Sequence, residues 1–186
     1  MEKIKRIEDI LILPETIGEA GIENGVSLSP EVMAEVFKAQ DLSVDRPFSV
    51  HYVAQREGES GTVHVSVDVK GRLQAQCARC LEPVEHPVDL HIETDYLPAE
   101  PDMGGNLEGE RVSSEIGFYR KSIQLGEFIV SELVLTLPLR FICGDECKGI
   151  CPGCGANLNR EGCRCATPVD PRLQKLEDLK EKIRRK

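Results

Sequence analysis

Strict alternation of apolar and polar residues dominates the middle of the chain. Between positions 62 and 70 the apolar sites are Val63, Val65, Val67 and Val69, and Thr, His, Ser, Asp and Lys fill the sites between them. Successive side chains of a strand point to opposite faces, so a period of two predicts a strand with one buried and one solvated face. Such a strand is typical of an antiparallel sheet.

The flanking segments predict the rest of this sheet. A strand over residues 48–56 comes before it, and the two are joined by a hairpin loop at 57–61 that contains two glycines. A bend at 70–72 leads to a short strand at 73–76, and residues 84–96 return as another strand. Four strands with three connections predict a meander.

Apolar residues at helical spacing predict the clearest helix over residues 125–137. They cover most of its circumference, so we expect this helix to be buried against the sheet. Pro138 ends it, because the residue before a proline avoids the helical conformation. A shorter helix is predicted at 30–37, with Ser29 as N-cap and Pro30 at the first helical position.

The remaining segments give weaker patterns. Residues 8–13 predict a short strand that ends at Pro14, and residues 98–109 predict a loop. A terminal helix is predicted from Asp170 and Pro171 onward. Its apolar stripe consists of Leu173, Leu176, Leu179 and Ile183.

Charge is unevenly distributed along the chain, whose net charge is -9. Residues 172–186 contain seven Lys and Arg against three Asp and Glu, a net charge of +4, which leaves -13 for the rest. An acidic body argues against broad non-specific binding to nucleic acid, which requires cations that displace counterions. The basic tail is a candidate RNA contact, although a solvated charged helix is the simpler interpretation.

The N-terminal sequence predicts a cytoplasmic protein that is not bound to a membrane. Its apolar run at 10–13 is shorter than the roughly 7–15 residues of a signal peptide. No stretch approaches the roughly 18 apolar residues of a membrane span. Thiols stay reduced in the cytoplasm, so the eight cysteines indicate metal ligands rather than disulfides.

The spacing of the cysteines predicts zinc binding. Zinc takes four thiolates at about 2.3 Å in a tetrahedron, so eight cysteines predict two zinc ions in closed four-thiolate sites. A closed site leaves no position for water or substrate, and both ions are therefore predicted to be structural. The ligands form four pairs in chain order: Cys77 and Cys80, Cys143 and Cys147, Cys151 and Cys154, Cys163 and Cys165.

The spacing leaves the grouping of these pairs open. In the preferred grouping the first pair joins the second, and the third joins the fourth. A second grouping joins the first pair to the third, as in a zinc ribbon with two knuckles, and a third grouping joins the second pair to the third. Loop-closure entropy favours the preferred grouping over the ribbon by only about 0.6 kcal/mol.

These features predict an α+β fold: an antiparallel meander sheet packed by a buried helix, with a C-terminal cysteine-rich zinc-binding segment and a terminal helix. Residues 1–45 contain the N-terminal strand and short helix, and 46–140 the sheet and buried helix. Residues 141–186 contain the zinc-binding loops and the basic C-terminal helix. We expect one compact domain with an appendage.

Other interpretations of the cysteines stay open, since four thiolates also suit an iron–sulfur cluster and free thiols suit redox chemistry. The chain contains no phosphate-binding loop, dinucleotide fingerprint or zinc-protease motif. We therefore expect no catalytic residues, no small-molecule substrate and no enzymatic activity. The four histidines are expected to be exposed or hydrogen-bonded strand residues, namely His51, His64, His86 and His91.

The cysteine motifs closely resemble those of the YceD family, from about residue 46 onward. The resemblance lies in the helix at 125–138 and in two strings, C-A-R-C-L-E-P-V from Cys77 and C-K-G-I-C-P-G-C-G-A-N-L-N from Cys147. The sequence Cys163-Arg-Cys165 and the sequence Asp170-Pro171-Arg172 extend it.

The resemblance implies a bacterial ribosome biogenesis factor that supports accumulation or processing of large-subunit (23S) ribosomal RNA. The implied partner is large-subunit pre-rRNA, or a basic ribosomal protein that an acidic body would attract. Two alternatives belong to other classes. One is an enzyme, either a nuclease or a thiol oxidoreductase, and the other is a zinc-ribbon interaction module of the transcription type.

Overall fold

The computed structural model of the chain describes residues 2–4, 6–58, 60–99 and 116–165. The chain divides into two compact units. The first consists of Met1–Ala75 and Pro83–Phe141, and the second of Gln76–Glu82 and Ile142–Lys186. The predicted loop at 98–109 lies almost entirely outside the described residues, and the predicted terminal helix lies wholly outside them. The domain boundaries at 45 and 140 stay a prediction.

Within the described residues, the first unit contains one large sheet, one small strand pair and two helices. The large sheet has the spatial order β1-β3-β4-β5-β6-β7. Its strands are β1 Glu2–Ile4, β3 Ile22–Leu28, β4 Phe48–Glu57, β5 Thr62–Gln76, β6 Pro83–Pro98 and β7 Ile116–Tyr119. The small antiparallel pair consists of β2 Leu11–Ile12 and β8 Ile123–Gln124, and the helices are α1 Pro30–Val36 and α2 Leu125–Thr136.

The α+β class is confirmed, but the prediction of a purely antiparallel meander is wrong because the sheet is mixed. β4 pairs antiparallel with both β3 and β5, whereas β1 runs parallel to β3 and β7 runs parallel to β6. Alternation of polar and apolar residues indicates on which face of the sheet a side chain lies, but it does not indicate whether the neighbouring strand is parallel or antiparallel. The short outer strands also carry too few residues for a periodic signal.

The β4–β5 hairpin confirms the prediction made from the alternating valines. Glu57 pairs with Thr62 at the end of the hairpin, and Ser49 pairs with Lys70 at the other end. The valines at 63, 65, 67 and 69 are fully buried. They form one wall of the hydrophobic core of the first unit.

The predicted bend at 70–72 is wrong, since β5 runs without interruption from Thr62 to Gln76. A Cβ atom on Gly71 would lie 2.4 Å from Cδ1 of Phe48. The glycine is therefore required by the close approach of the buried Phe48 ring and not by a turn. Glycine within a strand often marks such a close approach.

The predicted strand at 8–13 is also largely wrong. Ile7–Asp9 form a 3₁₀ turn, and only Leu11–Ile12 are in β2. β2 pairs with β8, which leads directly into α2. Ile7, Ile10 and Ile12 are all buried, so the apolar run belongs to the core although its backbone is mostly not a strand.

Helix α2 confirms the clearest helical prediction, but it is not buried all round. Leu125, Phe128, Ile129 and Leu133 are buried, whereas Leu135 is 76% exposed. The ring of Phe128 meets Tyr96 of β6 edge to face with centroids 6.3 Å apart, a favourable aromatic geometry. The sequence prediction of near-complete burial is therefore wrong for the C-terminal part of this helix.

Helix α1 confirms the shorter helical prediction. Pro30 is at its first position, and the backbone carbonyl of Ser29 accepts a hydrogen bond from the N–H of Met33 at 3.1 Å. The hydroxyl of Ser29 makes no capping hydrogen bond to the backbone of the helix. Met33 and Phe37 are fully buried and anchor this segment in the core.

The solvated face of the sheet, formed by β3 to β6, carries three of the four histidines in pairs with carboxylates. The ring nitrogens of His51, His64 and His91 lie 2.8, 2.7 and 2.9 Å from oxygens of Glu23, Asp95 and Asp68, respectively. Hydrogen bonds to Asp68 and then to Glu93 raise the pKa of His91. We call this surface the polar sheet face.

Among the described residues, no helix combines the length and apolar character needed to cross a bilayer.

We expect Gly126→Ala to destabilise the first unit by about 3 kcal/mol, the upper part of the range for overpacked cores. Gly126 is buried at the start of α2, and a Cβ atom there would lie 1.8 Å from the backbone oxygen of Ile7. The exposed Gly18 is the matched control, because a Cβ atom there meets nothing within 4 Å. Urea denaturation of both variants tests this, and equal midpoints would contradict it.

Candidate metal centre

The eight cysteines lie in two clusters of four within the second unit. The first cluster consists of Cys77, Cys80, Cys143 and Cys147, and the second consists of Cys151, Cys154, Cys163 and Cys165. Within each cluster all four sulfur atoms lie within 4.8 Å of one another. The structure thus shows the grouping preferred from the sequence, and it shows neither the ribbon-type grouping nor the third one.

The first cluster is built on a tight turn at Cys77-Ala-Arg-Cys80. The N–H of Cys77 donates to the carbonyl of Glu82 at 2.8 Å, and the N–H of Leu81 donates to the carbonyl of Cys77 at 2.9 Å. Leu81 has a left-handed backbone with a φ of 61°. This turn points both thiols of the first pair the same way. The chain then returns at residues 143–147 to supply the other two.

The sulfur–sulfur distances of the first cluster fit a single tetrahedral ion. Cys77 and Cys147 are 3.8 Å apart, and Cys80 and Cys143 are 3.6 Å apart. A zinc–sulfur bond of about 2.3 Å gives a tetrahedron with edges of about 3.8 Å. A four-iron cluster binds each cysteine through a different iron atom and so spreads the sulfurs further apart. The donor geometry therefore favours a mononuclear tetrathiolate site.

The second cluster is built on a second tight turn, Cys151-Pro-Gly-Cys154. The N–H of Cys151 donates to the carbonyl of Ala156, and the N–H of Gly155 donates to the carbonyl of Cys151, both at 2.8 Å. Gly155 has a φ of 75°, a conformation that glycine adopts without strain. The sulfur of Cys163 lies 3.2 Å from that of Cys151 and 3.4 Å from that of Cys154. All eight cysteines are free thiols.

Hydrogen bonds to sulfur prepare both clusters for negative charge. The N–H of Cys143 donates to the sulfur of Cys77 at 3.4 Å, and the N–H of Cys165 donates to the sulfur of Cys163 at 3.2 Å. The side-chain amide of Asn159 donates to the sulfur of Cys147 at 3.3 Å. Donors aimed at a sulfur favour its thiolate form, which is the form that binds metal.

The thiol pKa values show what each cluster lacks without a cation. Burial raises the pKa of Cys77, but backbone N–H groups, first that of Arg79, outweigh it and lower that pKa to about 6. Cys163 and nearby backbone N–H groups lower the pKa of Cys151 to about 6. Neighbouring thiols, first that of Cys147, raise the pKa of Cys143 to about 12. In the second cluster, neighbouring thiols, first that of Cys163, raise the pKa of Cys165 to about 12. A bound cation removes this opposition and allows four thiolates to coexist.

Three of the cysteines also form the buried core of the described part of the second unit. Among its described residues, the buried apolar side chains are those of Cys77, Cys80 and Cys151. The described part of this unit buries little of the apolar area that normally offsets the entropy of ordering a chain. A metal ion in each cluster would be a source of stability for these residues.

Sequence spacing did not reveal the residues that surround the sulfurs. The guanidinium of Arg79 donates to the carbonyls of Asp145 and Cys147 at 3.1 and 3.2 Å. The carboxylate of Glu82 accepts hydrogen bonds from Asn157 at 3.0 Å and from Arg160 at 2.7 Å. The sequence gives one indication of these contacts: polar residues stand between the cysteine pairs, in a loop that has no periodicity.

Comparison with known proteins places this geometry in context. A family model described as "Large ribosomal RNA subunit accumulation protein YceD" matches residues 65–180, a span that includes all eight cysteines. An uncharacterized protein of Mycobacterium tuberculosis and one of Mycobacterium bovis are each 32% identical over 124 residues, 66% of this chain and 58% of the relative. No solved structure matches the chain.

A plant relative also matches. It is the maize protein named "Large ribosomal RNA subunit accumulation protein YCED homolog 1, chloroplastic", 28% identical over 141 residues, which covers 55% of this chain and 48% of the relative. The chain thus spans roughly half the length of the curated relatives it matches.

We expect the purified chain to bind two divalent metal ions and to lose the fold of its second unit when they are removed. A structural zinc site contributes roughly 10–16 kcal/mol, whereas the total stability of a domain is about 5–15 kcal/mol. Elemental analysis gives the metal count. Limited proteolysis after chelation should then cut within residues 142–165 and leave the β4–β5 hairpin protected.

Zinc added back serves as the control and should restore resistance to the protease. Unchanged resistance in protein that has demonstrably lost its metal would show that the clusters do not hold this unit together.

Proposed function

We propose, from the premise that this chain belongs to the YceD family, that it is a non-enzymatic ribosome biogenesis factor with two structural zinc ions. Its role would be to support accumulation or processing of large-subunit ribosomal RNA. The observation that carries the proposal is that the matched span contains two complete tetrathiolate clusters with no cysteine left over. The name of the maize relative points to the same process.

Each zinc ion would act as a cross-link between distant parts of the chain. In the first cluster, Cys77 and Cys80 would be joined to Cys143 and Cys147, more than 60 residues away. In the second, Cys151 and Cys154 would be joined to the pair at 163 and 165. When bound, zinc supplies charge neutralisation and fixed tetrahedral geometry. Four protein ligands leave no open position for a substrate, which supports a structural role.

The polar sheet face supports a basic protein as a partner. Among the described residues, the ion pairs of this face involve six carboxylates, two cations (Lys70 and Arg72) and the three histidines. The carboxylates belong to Glu23, Asp68, Glu85, Asp89, Glu93 and Asp95. Such a surface repels phosphate and attracts a cationic surface, so it suits a basic ribosomal protein better than RNA.

Direct contact with pre-rRNA would use other residues. Lys148 and Arg164 are exposed in the second unit, whereas Arg160 is engaged by Glu82 at 2.7 Å. The basic tail at 172–186 lies outside the described residues and is the remaining candidate. Cations at these sites would release counterions from phosphates on binding.

We expect the acidic surface and the basic tail to be separable in cosedimentation with large-subunit precursors. Asp89→Lys with Glu93→Lys should reduce retention of basic ribosomal proteins several-fold, because like charges then face the partner. Arg184→Glu, Arg185→Glu and Lys186→Glu together should instead weaken the RNase-sensitive fraction. Sucrose-gradient fractions from cells that express each variant, probed before and after RNase, give both readouts.

The matched control reverses the same charge away from the polar sheet face, with Glu15→Lys and Glu19→Lys, two exposed positions in the first unit. Retention should be unchanged there. Full retention by all variants would argue against charge-based recognition of the large subunit.

One observation favours a second candidate function, a thiol oxidoreductase. Without metal, Cys77 and Cys151 have a pKa of about 6, and each has another thiol within 4 Å. A thiolate next to a second thiol is the arrangement that forms a reversible disulfide. Whether metal occupies the clusters decides between the two functions.

We expect a thiol reagent to find no fast-reacting cysteine in the native, metal-loaded chain, because every sulfur would be a ligand. Chelated and denatured protein should give eight reactive thiols per chain. The measurement is absorbance after addition of an aromatic disulfide reagent. Two rapidly reacting thiols in protein with full metal content would favour the oxidoreductase.

A further inference from the structure

We propose that the two cysteine clusters are energetically coupled, and that Asn159 and Glu82 are the positioning residues that couple them. The proposal rests on the proposed function only in that both clusters hold metal. The loop between Cys154 and Cys163 belongs to the second cluster by sequence, yet its polar side chains contact the first cluster. Each cluster would therefore raise the affinity of the other for its ion.

Asn159 makes the most direct link. Its side-chain amide donates to the sulfur of Cys147 at 3.3 Å, and its side-chain oxygen accepts the backbone N–H of Lys148 at 2.8 Å. One side chain thus holds both a ligand atom of the first cluster and the backbone next to that ligand.

Glu82 makes the second link, from the other arm of the first cluster. Its backbone carbonyl accepts the N–H of Cys77 at 2.8 Å and so closes the turn that carries the first cysteine pair. Its carboxylate accepts from Asn157 at 3.0 Å and from Arg160 at 2.7 Å. Both arms of the first cluster are therefore held by the same short loop.

The loop that provides these contacts is itself shaped around the second cluster. The N–H of Cys151 donates to Ala156 at 2.8 Å, and the side-chain oxygen of Asn157 accepts the N–H of Asn159 at 3.0 Å. With Cys154 and Cys163 both bound to one ion, residues 155–162 form a short closed loop. Releasing that ion would free the loop and remove its contacts to Cys147 and Glu82. The contacts could then form again only if the loop lost conformational entropy.

Coupling of this kind is reciprocal. If the occupied second cluster raises the affinity of the first, the occupied first cluster must raise the affinity of the second by the same factor. Partners that hydrogen-bond to metal ligands typically change metal affinity by about 10- to 100-fold. We therefore expect a coupling factor of at least about tenfold.

The experiment measures zinc release from each cluster separately in the full chain. Zinc-loaded protein is challenged with excess chelator and an alkylating reagent, and mass spectrometry of peptides reports which cysteines become alkylated and when. In the unsubstituted chain both clusters should open with one rate. Asn159→Ala retains all eight cysteines, and it should speed alkylation of the first cluster at least about tenfold.

Three further variants sharpen the test. Cys154→Ser with Cys165→Ser opens the second cluster and should speed release from the first by a similar factor. Adding Asn159→Ala to that pair should give little further change, because both act through the same contact. Glu161→Gln is the control, since the carboxylate of Glu161 has no partner among the residues that the structure describes, and release should stay at the rate of the unsubstituted chain.

Two results would overturn the coupling. The first is that zinc leaves the first cluster of the Asn159→Ala chain as slowly as it leaves that of the unsubstituted chain. The second is that zinc release from the first cluster keeps the unsubstituted rate when Cys154→Ser and Cys165→Ser open the second cluster. Both leave the zinc assignment intact, because the clusters would still be protected by metal. Immediate alkylation of all eight cysteines in the purified unsubstituted chain, with no metal detected, would instead overturn the zinc assignment and the coupling together.

Discussion

The fold of the second unit depends on the balance of charge among four sulfur atoms. Each cluster holds its sulfurs within 4.8 Å of one another, a spacing at which four thiolates repel one another strongly. Three of these cysteines, Cys77, Cys80 and Cys151, are the buried apolar side chains of the described part of this unit. A cation in each cluster would turn this repulsion into attraction, and the described residues of this unit offer little apolar core to replace it. The tight turns, the N–H donors to sulfur and the asparagine contacts all serve this arrangement.

The first unit is stabilised by a different force. Its core is built from valine, leucine and isoleucine, with few aromatic rings and no tryptophan. The valines of β5 and the buried side chains of β4 pack one face of the sheet, and the other face carries charged residues and histidines. This division gives the unit an apolar interior and a broad acidic surface.

The two stabilising forces bear on the proposed role in different ways. A YceD family member that supports large-subunit rRNA needs surfaces of defined shape more than it needs reactive groups. Metal-bound tetrathiolate clusters would supply rigid loops without open coordination positions, and the polar sheet face would supply charge complementarity for the proposed basic partner. Under the proposed function, surface residues would carry the specificity.

The sequence by itself determined the elements with a strong period, the identity of the candidate metal donors and the acidic character of the body. The valines of β5, the helix α2 and the four cysteine pairs each carry a local signal that needs no tertiary information. Local patterns failed at Gly71, where a turn signal proved to be space for the ring of Phe48. They also failed for the parallel outer strands, because strand direction depends on partners distant in the chain.

Only the tertiary structure decided how the cysteine pairs combine and what surrounds them. Loop-closure entropy separates the preferred grouping from the ribbon grouping by only about 0.6 kcal/mol, which is too small to decide between them. The grouping follows from the position to which the fold returns the chain at 143–147, and no local spacing contains that information. Asn159 and Glu82 acquire their roles for the same reason, since their partners are distant in sequence and adjacent only after folding.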